Sequence, residues 1–163
     1  MHLHIYKINN PMKHYFWMMC MALCFLLSCN SDDYCENSRI ATTSLEDEYA
    51  CNDTRYSLDI STTEQFELIT NLDEYEDKIT GTCDPTLIDF EKFDLIIGKV
   101  RLGSGNDSID YSLIESCTEG RSLYVTFIQN DTMVAPVITY HVLVTKAELN
   151  KTIEVRIFNE RRA

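Results

Sequence analysis

The chain has 163 residues, and its 26 acidic and 14 basic side chains give a formal charge of −12 at pH 7. A chain this acidic repels phosphate backbones and anionic lipid headgroups, which argues against nucleic acid as a partner. The length suits one domain with a core of moderate size. The charge favours solubility but identifies no ligand.

The N-terminal segment has the pattern of a secretory signal peptide. Lys7 and Lys13 precede the uncharged run Tyr15–Ser28, and a basic start followed by a short apolar run is typical of such leaders. The run is shorter than the roughly 20 apolar residues that a membrane-spanning helix needs. We therefore expect residues 1–28 to be removed, and a buried core helix is the alternative.

The end of this run, Leu26-Leu27-Ser28-Cys29, resembles the bacterial lipobox. The resemblance implies that Cys29 becomes the first residue of the mature chain and carries acyl chains such as palmitate. Each buried methylene contributes about 0.8 kcal/mol, and stable anchoring needs more than one chain. A multiply acylated Cys29 is therefore expected to hold the folded domain on a membrane.

The residues after this cysteine, Asn30-Ser31-Asp32-Asp33, resemble the short acidic export signal of surface lipoproteins in Bacteroidota-type bacteria. The resemblance implies an outer-membrane protein that faces outward, with Ser31, Asp32 and Asp33 as the signal. Exposure on the periplasmic face is the alternative localisation. A plain solvated tether is the alternative interpretation of the two aspartates.

Four cysteines remain once the leader is removed and Cys29 is acylated. An even number in an oxidising compartment predicts two disulfides, with three possible connectivities. We favour the pairings Cys35–Cys51 and Cys83–Cys117. A zinc site needs thiolates at short paired spacings. These cysteines are far apart in the chain, so no metal site is predicted.

Composition divides the mature chain into two parts. Residues 29–55 are polar and acidic and are predicted to be a tether, followed by a single α+β domain over residues 56–163. The domain opens with a strand-like run, Tyr56–Ile60. Apolar residues at three- and four-residue steps from Phe66 to Ile79 then predict one amphipathic helix, with its N-cap among the hydroxyl residues at 61–63.

After residue 81 the apolar pattern changes to strand-like runs. The runs cover residues 93–102, 107–114, 122–129, 137–145 and 152–158. Short links between successive runs, at 103–107, 130–131 and 146–151, predict antiparallel hairpins. We therefore expect an antiparallel β meander of about five to six strands packed with one main helix.

Two blocks, Ile88–Lys99 and Ile138–Lys146, carry a family resemblance. With the preceding strand–helix unit they resemble the small C-terminal domain of protease-complex-stabilising lipoproteins, the PrcB-like domain. They resemble more closely still a set of Bacteroidota lipoproteins that share that layout. The similarity spans residues 56–158 and implies a modulator of an envelope protease complex. The family's Gly-Gly-aromatic turn is replaced here by Gly-Ser-Gly at 103–105, and we carry over no functional residue.

Residue types that support catalysis are few after the leader. His141 is the one histidine left, and alternation along its strand places it on the face opposite Val142. A lone histidine there is more often structural or exposed than a base or a metal ligand. The loop 103–105 lacks the lysine and helix of a phosphate-binding loop, and the acidic run 71–78 lacks the spacing of a calcium loop. No catalytic, cofactor-binding or metal-binding residue is predicted.

Two short segments resemble the Asp-Ser/Thr-apolar pattern of O-glycosylation in Bacteroidota. They are centred on Ser108 and Thr132, and both are predicted at turns. The two hydroxyl residues are therefore candidate glycan acceptors.

These patterns predict a lipid-anchored, surface-exposed lipoprotein that acts as a non-catalytic binding or scaffolding module. The expected partners are the membrane, through acylated Cys29, and a protein of the cell envelope. No cofactor is expected. The alternatives are a modulator of an envelope protease complex and a carboxylate-dependent hydrolase.

Overall fold

The structure, a computed structural model, describes residues 37–117, 120–146 and 152–161. All of these belong to one compact unit, Cys35–Ala163. The predicted signal peptide, the acylation site Cys29, the export signal Ser31–Asp33 and the disulfide candidate Cys35 lie outside the described residues. In the part of the chain that is described, no helix is long and apolar enough to cross a membrane.

In chain order the elements are β1 (Ser38–Ile40), α1 (Leu45–Tyr49), α2 (Thr54–Ser57), β2 (Leu58–Ile60), β3 (Phe66–Ile69), α3 (Leu72–Lys78), β4 (Ile79–Gly81), a 3-10 turn (Pro85–Leu87), β5 (Phe93–Arg101), β6 (Asn106–Ser116), β7 (Gly120–Gln129), β8 (Val137–Thr145) and β9 (Ile153–Arg161).

The central layer is a three-stranded sheet with the order β3-β5-β8. β5 and β8 pair antiparallel along their full length, with Ile97 opposite His141. Both strands are largely apolar on both faces, which is the pattern of strands covered from two sides. Ile97 and Leu143 lie in a core cluster with the helices and the β2–β4 pair, and Ile96 and Val142 lie in a second cluster with the other large sheet.

The other large sheet has four strands in the order β1-β6-β7-β9. β6 and β7 form an antiparallel hairpin in which Leu113 pairs with Leu123. β9 runs parallel to β7, with Val155 opposite Leu123. All three of these side chains are buried in the second core cluster, so this face of the sheet packs on the central layer.

The fold contains both helices and strands, as the α+β prediction requires, but its strands do not form a meander. The hairpins predicted at 103–107, 130–131 and 146–151 do not form, because β5 and β8 pair with each other while β6, β7 and β9 lie in a separate sheet. Facing sheets are only about 10 Å apart. A link of a few residues can therefore pass from one sheet to the other, and a short link does not require a hairpin.

The structure also differs from the helix predicted from Phe66 to Ile79. The segment Phe66–Ile69 forms β3, which pairs with β5, and α3 begins only at Leu72. Asn71 caps this helix, since its side chain accepts a hydrogen bond from the backbone N–H of Glu74 at 2.9 Å. Pairing with a buried strand overrides the local three- and four-residue spacing.

The fold begins earlier in the chain than the predicted boundary at residue 56. β1 pairs with β6, and Leu45 of α1 is fully buried. Ser44 caps α1 by accepting a hydrogen bond from the backbone N–H of Asp47 at 3.0 Å. The elements between residues 38 and 55 are therefore part of the domain, although their polar composition predicts a tether.

One disulfide joins Cys51 to Cys83, with Cα atoms 5.2 Å apart. It ties the segment between α1 and α2 to the segment that follows β4. Both favoured pairings, Cys35–Cys51 and Cys83–Cys117, are therefore wrong. Cys117 is disulfide-bonded as well, so three of the four candidate cysteines are in disulfides and only Cys35 lies outside the described residues.

Candidate functional site

His141 lies at the centre of β8, on the face that α1 and α2 cover. Alternation predicts this face correctly, but it does not predict burial, and the side chain is only 3% exposed. The covering helices come from the segment whose composition predicts a tether. For this reason the sequence places His141 on an outer face, whereas the structure places it inside.

Three polar side chains meet at this point, and we call Glu46, Thr54 and His141 the His141 cluster. Nε2 of His141 is 2.5 Å from Oγ1 of Thr54, whose side chain is fully buried. The Thr54 hydroxyl donates to Oε1 of Glu46, and Oε2 of Glu46 is 3.4 Å from Nε2 of His141. Nδ1 of His141 is buried and has no hydrogen-bond partner among the described residues.

Tyr111 of β6 links the four-stranded sheet to this cluster. Its hydroxyl oxygen accepts a hydrogen bond from the backbone N–H of His141 at 3.2 Å. Burial raises the pKa of the Tyr111 hydroxyl. The phenol therefore stays neutral at physiological pH and acts as a fixed hydrogen-bonding group.

The charge of the cluster is carried by Glu46. Burial on its own raises the pKa of this carboxyl group, but hydrogen bonds from His141 and Thr54 and the charge of His141 outweigh that effect. Together they lower the pKa of Glu46 from 4.5 to about 2. Glu46 is therefore a carboxylate throughout the physiological pH range.

Short-range structure fixes the two helices that supply Glu46 and Thr54. Ala50 ends α1 in the left-handed conformation, with φ of 53°, and Asp53 enters α2 in the same conformation, also with φ of 53°. Aspartate tolerates this region better than most side chains, whereas alanine does so at a cost. The Cys51–Cys83 disulfide constrains the turn between these two positions.

A cleft of about 400 Å³ opens beside the His141 cluster. We call it the acidic cleft, because its carboxylates outnumber its one arginine. The side chains come from α1, α2, β6, β8 and the residues next to them. They are Ser44, Glu46, Asp47, Arg55, Asp107, Ser108, Ile109, Tyr111 and His141.

The arginine of the acidic cleft is held against the start of β6. Nη1 of Arg55 donates to the backbone oxygen of Asp107 at 2.9 Å and is 3.3 Å from Oδ1 of Asn106. A second depression, of about 310 Å³, adjoins the cleft along α1 and adds Asp110 to the lining. The acidic surface therefore continues along the outside of β6.

The chemical groups that the acidic cleft exposes are mainly carboxylates. In residues 37–117, 120–146 and 152–161, no group of three or more His, Cys, Asp or Glu side chains could hold a metal ion. A nucleophile must reach its substrate, and the Thr54 hydroxyl is fully buried. The exposed carboxylates can accept hydrogen bonds from cationic or hydroxyl groups.

The two candidate glycan acceptors lie close to one another at the start of β6. Ser108 is exposed and lines the acidic cleft, and Thr132 is exposed in the link between β7 and β8. Nδ2 of Asn130 donates to Asp107 at 2.6 Å, and the Thr132 hydroxyl donates to Oδ1 of Asn130 at 2.7 Å. Ser108 lies in a strand, beside a register shift, rather than at the predicted turn.

Sequence reasoning misses the helix residues Glu46, Thr54 and Arg55. One local signal was present, since Ser44 and Asp47 have the spacing of a helix-start cap. No local signal exists for the contact between Thr54 and the histidine, because 87 residues separate them in the chain.

The two blocks that carry the PrcB-like resemblance lie together in the fold. Ile88–Lys99 contains most of β5, and Ile138–Lys146 contains most of β8, which is its sheet neighbour. Adjacent central strands are common to many sheet proteins, so this placement does not identify a family, and the resemblance stays a prediction. Comparisons of the chain with family models, with curated proteins and with solved structures found no match.

Proposed function

We propose that this chain is a lipid-anchored protein of the outer membrane, displayed on the cell surface, that binds another macromolecule through the acidic cleft. In this proposal it acts as a binding or scaffolding module without catalysis. The observation that carries the binding role is the cleft itself, where the exposed Asp47 and Asp107 lie beside the ionised Glu46. Such a surface attracts a basic or hydroxyl-rich segment of a partner.

A carboxylate-dependent hydrolase is the competing function, because acids line the cleft. General acid–base catalysis works best when the pKa of the catalytic group lies near the working pH. The pKa of Glu46 is lowered to about 2, which favours a permanent negative charge over proton transfer. The burial of Thr54 also argues against a threonine nucleophile, so both observations support binding.

The anchor is supported by the junction at Cys29, which has the lipobox pattern. The first described strand starts at Ser38, nine residues after Cys29 (38 − 29 = 9). An extended chain spans at most about 3.3–3.6 Å per residue. The domain would therefore sit within roughly 30 Å of the acylated residue, close to the membrane surface.

Cys29→Ala tests the anchor. We expect it to abolish labelling with a palmitate analogue and to move the protein from the membrane fraction to the soluble fraction. Cys24→Ala is the matched control, because Cys24 lies inside the predicted leader and should not affect labelling. Labelling of the Cys29→Ala protein would overturn the anchor.

Recovery of partners from envelopes tests the cleft. The full chain, with its anchor intact, is purified as wild type, as Asp47→Lys and as Asp73→Lys. Both aspartates are exposed in the first turn of a helix, but only Asp47 lines the cleft. We expect partners that persist with Asp73→Lys and are lost with Asp47→Lys. Equal recovery from all three would contradict the proposal, and a protease subunit among the Asp47-dependent partners would assign the protein to the alternative role of protease modulator.

A further inference from the structure

β9 is an edge strand of the four-stranded sheet. β7 pairs with it on one side, and among the described residues no strand pairs with it on the other side. The strand is nine residues long. An unpaired edge of this length presents backbone N–H and C=O groups to any chain that can continue the sheet.

Alternate residues of β9 point to opposite faces of the sheet. Val155 is buried in the core, whereas Phe158 is 46% exposed on the outer face. The Phe158 ring stacks on Tyr124 with 5.9 Å between ring centroids, and the guanidinium of Arg156 lies 5.8 Å from the centroid of the same tyrosine. The outer row of the strand therefore consists of Glu154, Arg156, Phe158 and Glu160.

This outer row complements itself when a second copy runs in the opposite direction. In an antiparallel pair of β9 strands centred on Phe158, Arg156 of each copy lies opposite Glu160 of the other, and the two Phe158 rings meet at the axis. Opposite charges and aromatic pairs directly across an antiparallel ladder stabilise it. We propose that two copies of this chain associate edge to edge through β9, about a two-fold axis at Phe158.

Other registers are less favourable. Centring the pair on Arg156 sets two arginines against each other, and centring it on the residue before Phe158 sets Glu154 opposite Glu160. Like charges in these positions destabilise the ladder. Centring on Val155 sets Glu154 opposite Arg156, but these two side chains already form an ion pair at 2.8 Å within one chain.

A single strand pair is smaller than a standard interface, which buries about 1,200–2,000 Å². The association therefore depends on a high local concentration. The acyl anchor would supply it, because two copies held on one membrane meet far more often than free copies do; this step rests on the proposed function. β1, the described strand nearest the anchor, is at the opposite edge of the sheet from β9, so the pairing does not involve it.

Cysteine cross-linking in intact cells tests the proposal. Two full-length chains with different tags, both carrying Phe158→Cys, are co-expressed and oxidised before extraction. We expect a cross-linked product that carries both tags. Glu154→Cys is the control, because in this register the two copies of residue 154 are separated by eight residues along the paired strands. That offset is about 27 Å, which is too far for a disulfide.

Charge exchange tests the register. In the Phe158→Cys background, Glu160→Arg in both copies sets arginine against arginine at two contacts, and we expect about tenfold less cross-linked product. Arg156→Glu in both copies sets glutamate against glutamate and has the same effect. When one copy carries Arg156→Glu and the other Glu160→Arg, both contacts regain opposite charges, and the yield returns to within about twofold of the starting value. Glu160→Arg keeps the contacts of Arg156 with Tyr124 and Glu154, so it is the variant that disturbs the fold least.

The same cross-linking is repeated on the concentrated, purified full chain, so that a missing anchor does not hide the pairing. The membrane fraction of the cells reports on the anchor separately. Absence of the two-tag product in both settings overturns the proposal and leaves the charges of β9 as protection of an exposed edge. A product from Glu154→Cys in place of Phe158→Cys also overturns it, as does a mixed pair that cross-links no better than the single variants.

Discussion

Thr54 connects the other two members of the His141 cluster, because its hydroxyl contacts Nε2 of His141 and donates to Glu46. Thr54→Val keeps the shape of the side chain and replaces its hydroxyl with a methyl group. We expect a loss of about 1–3 kcal/mol in the free energy of unfolding, since the buried His141 and the partly buried Glu46 each lose a hydrogen-bond partner. Urea unfolding measures it. Thr80→Val, at an exposed strand position, is the control and should change stability by less than about 0.5 kcal/mol.

Glu46 gives the protein a pH-dependent contribution to stability. Its pKa is lowered from 4.5 to about 2 in the fold. The folded state therefore holds the carboxylate better than the unfolded chain does, and the contribution is complete above about pH 4.5. It is lost as the pH falls from there towards 2. The difference in unfolding free energy between wild type and Glu46→Gln that is measured at pH 5 should shrink as the pH falls below 4.5. A difference that grows on acidification would contradict the assigned shift.

Whether the sequence predicts the environment of a single side chain depends on which elements pack against it in the fold. Alternation along β8 is enough to separate the face of His141 from that of Val142, and the structure confirms it. Burial of the histidine is not predictable in the same way. It depends on two short helices supplied by a segment whose composition is typical of a tether.

Among the strands, β5 depends on a glycine for its close fit to β8. Gly98 lies opposite Tyr140, and a Cβ atom at this position would collide with the tyrosine ring and with the backbone oxygen of Gln65. That oxygen accepts the Tyr140 hydroxyl at 2.9 Å, so the ring cannot move away without losing a hydrogen bond. The two strands and β3 are therefore held at a spacing that only glycine allows.

Gly98→Ala should lower the free energy of unfolding by about 1–3 kcal/mol through overpacking. Gly103→Ala is the matched control, because a Cβ there meets no atom within 4 Å. Chemical denaturation of both variants gives the comparison. Equal stability of the two would show that the tyrosine relaxes without cost.

Long strands with an alternating or continuous apolar pattern are the elements that the sequence predicts well. The predicted run 137–145 coincides with β8, and the other four long strands lie within a few residues of their predicted bounds. The amphipathic helix is not predicted well, because Phe66 and Ile69 satisfy a helical spacing and also serve β3. Pairing with β5 decides between the two, and that contact is long-range.

At the scale of the molecule, the strand order was not predictable from link lengths. Two stacked sheets allow every short link to change layer, so β5 finds β8 as its neighbour and β9 adds to β7 in parallel. The pairing of the cysteines follows from this arrangement of the sheets rather than from the spacing of the cysteines in the sequence. Cys51 and Cys83 meet because the covering helices and the segment after β4 pack on the same side of the central sheet.

The partner of Cys117 decides how the segment that precedes β1 is joined to the domain. Cys117 is disulfide-bonded, and Cys51 and Cys83 are paired to each other. If the leader is removed and Cys29 is acylated, as we propose, Cys35 is the one cysteine left as a partner for Cys117. In the β1–β6 register Ser38 lies opposite Glu115. Cys117 therefore follows the end of β6, two residues beyond the pair at which β1 begins.

We therefore expect non-reducing peptide mapping of the full chain by mass spectrometry to recover Cys35 linked to Cys117. Reduction before digestion is the control and should release the two peptides separately. A free Cys35, or Cys117 linked to Cys29, would contradict the expectation, and the second result would also contradict acylation of Cys29. The Cys35–Cys117 bond would fasten the tether at the β1 edge of the four-stranded sheet.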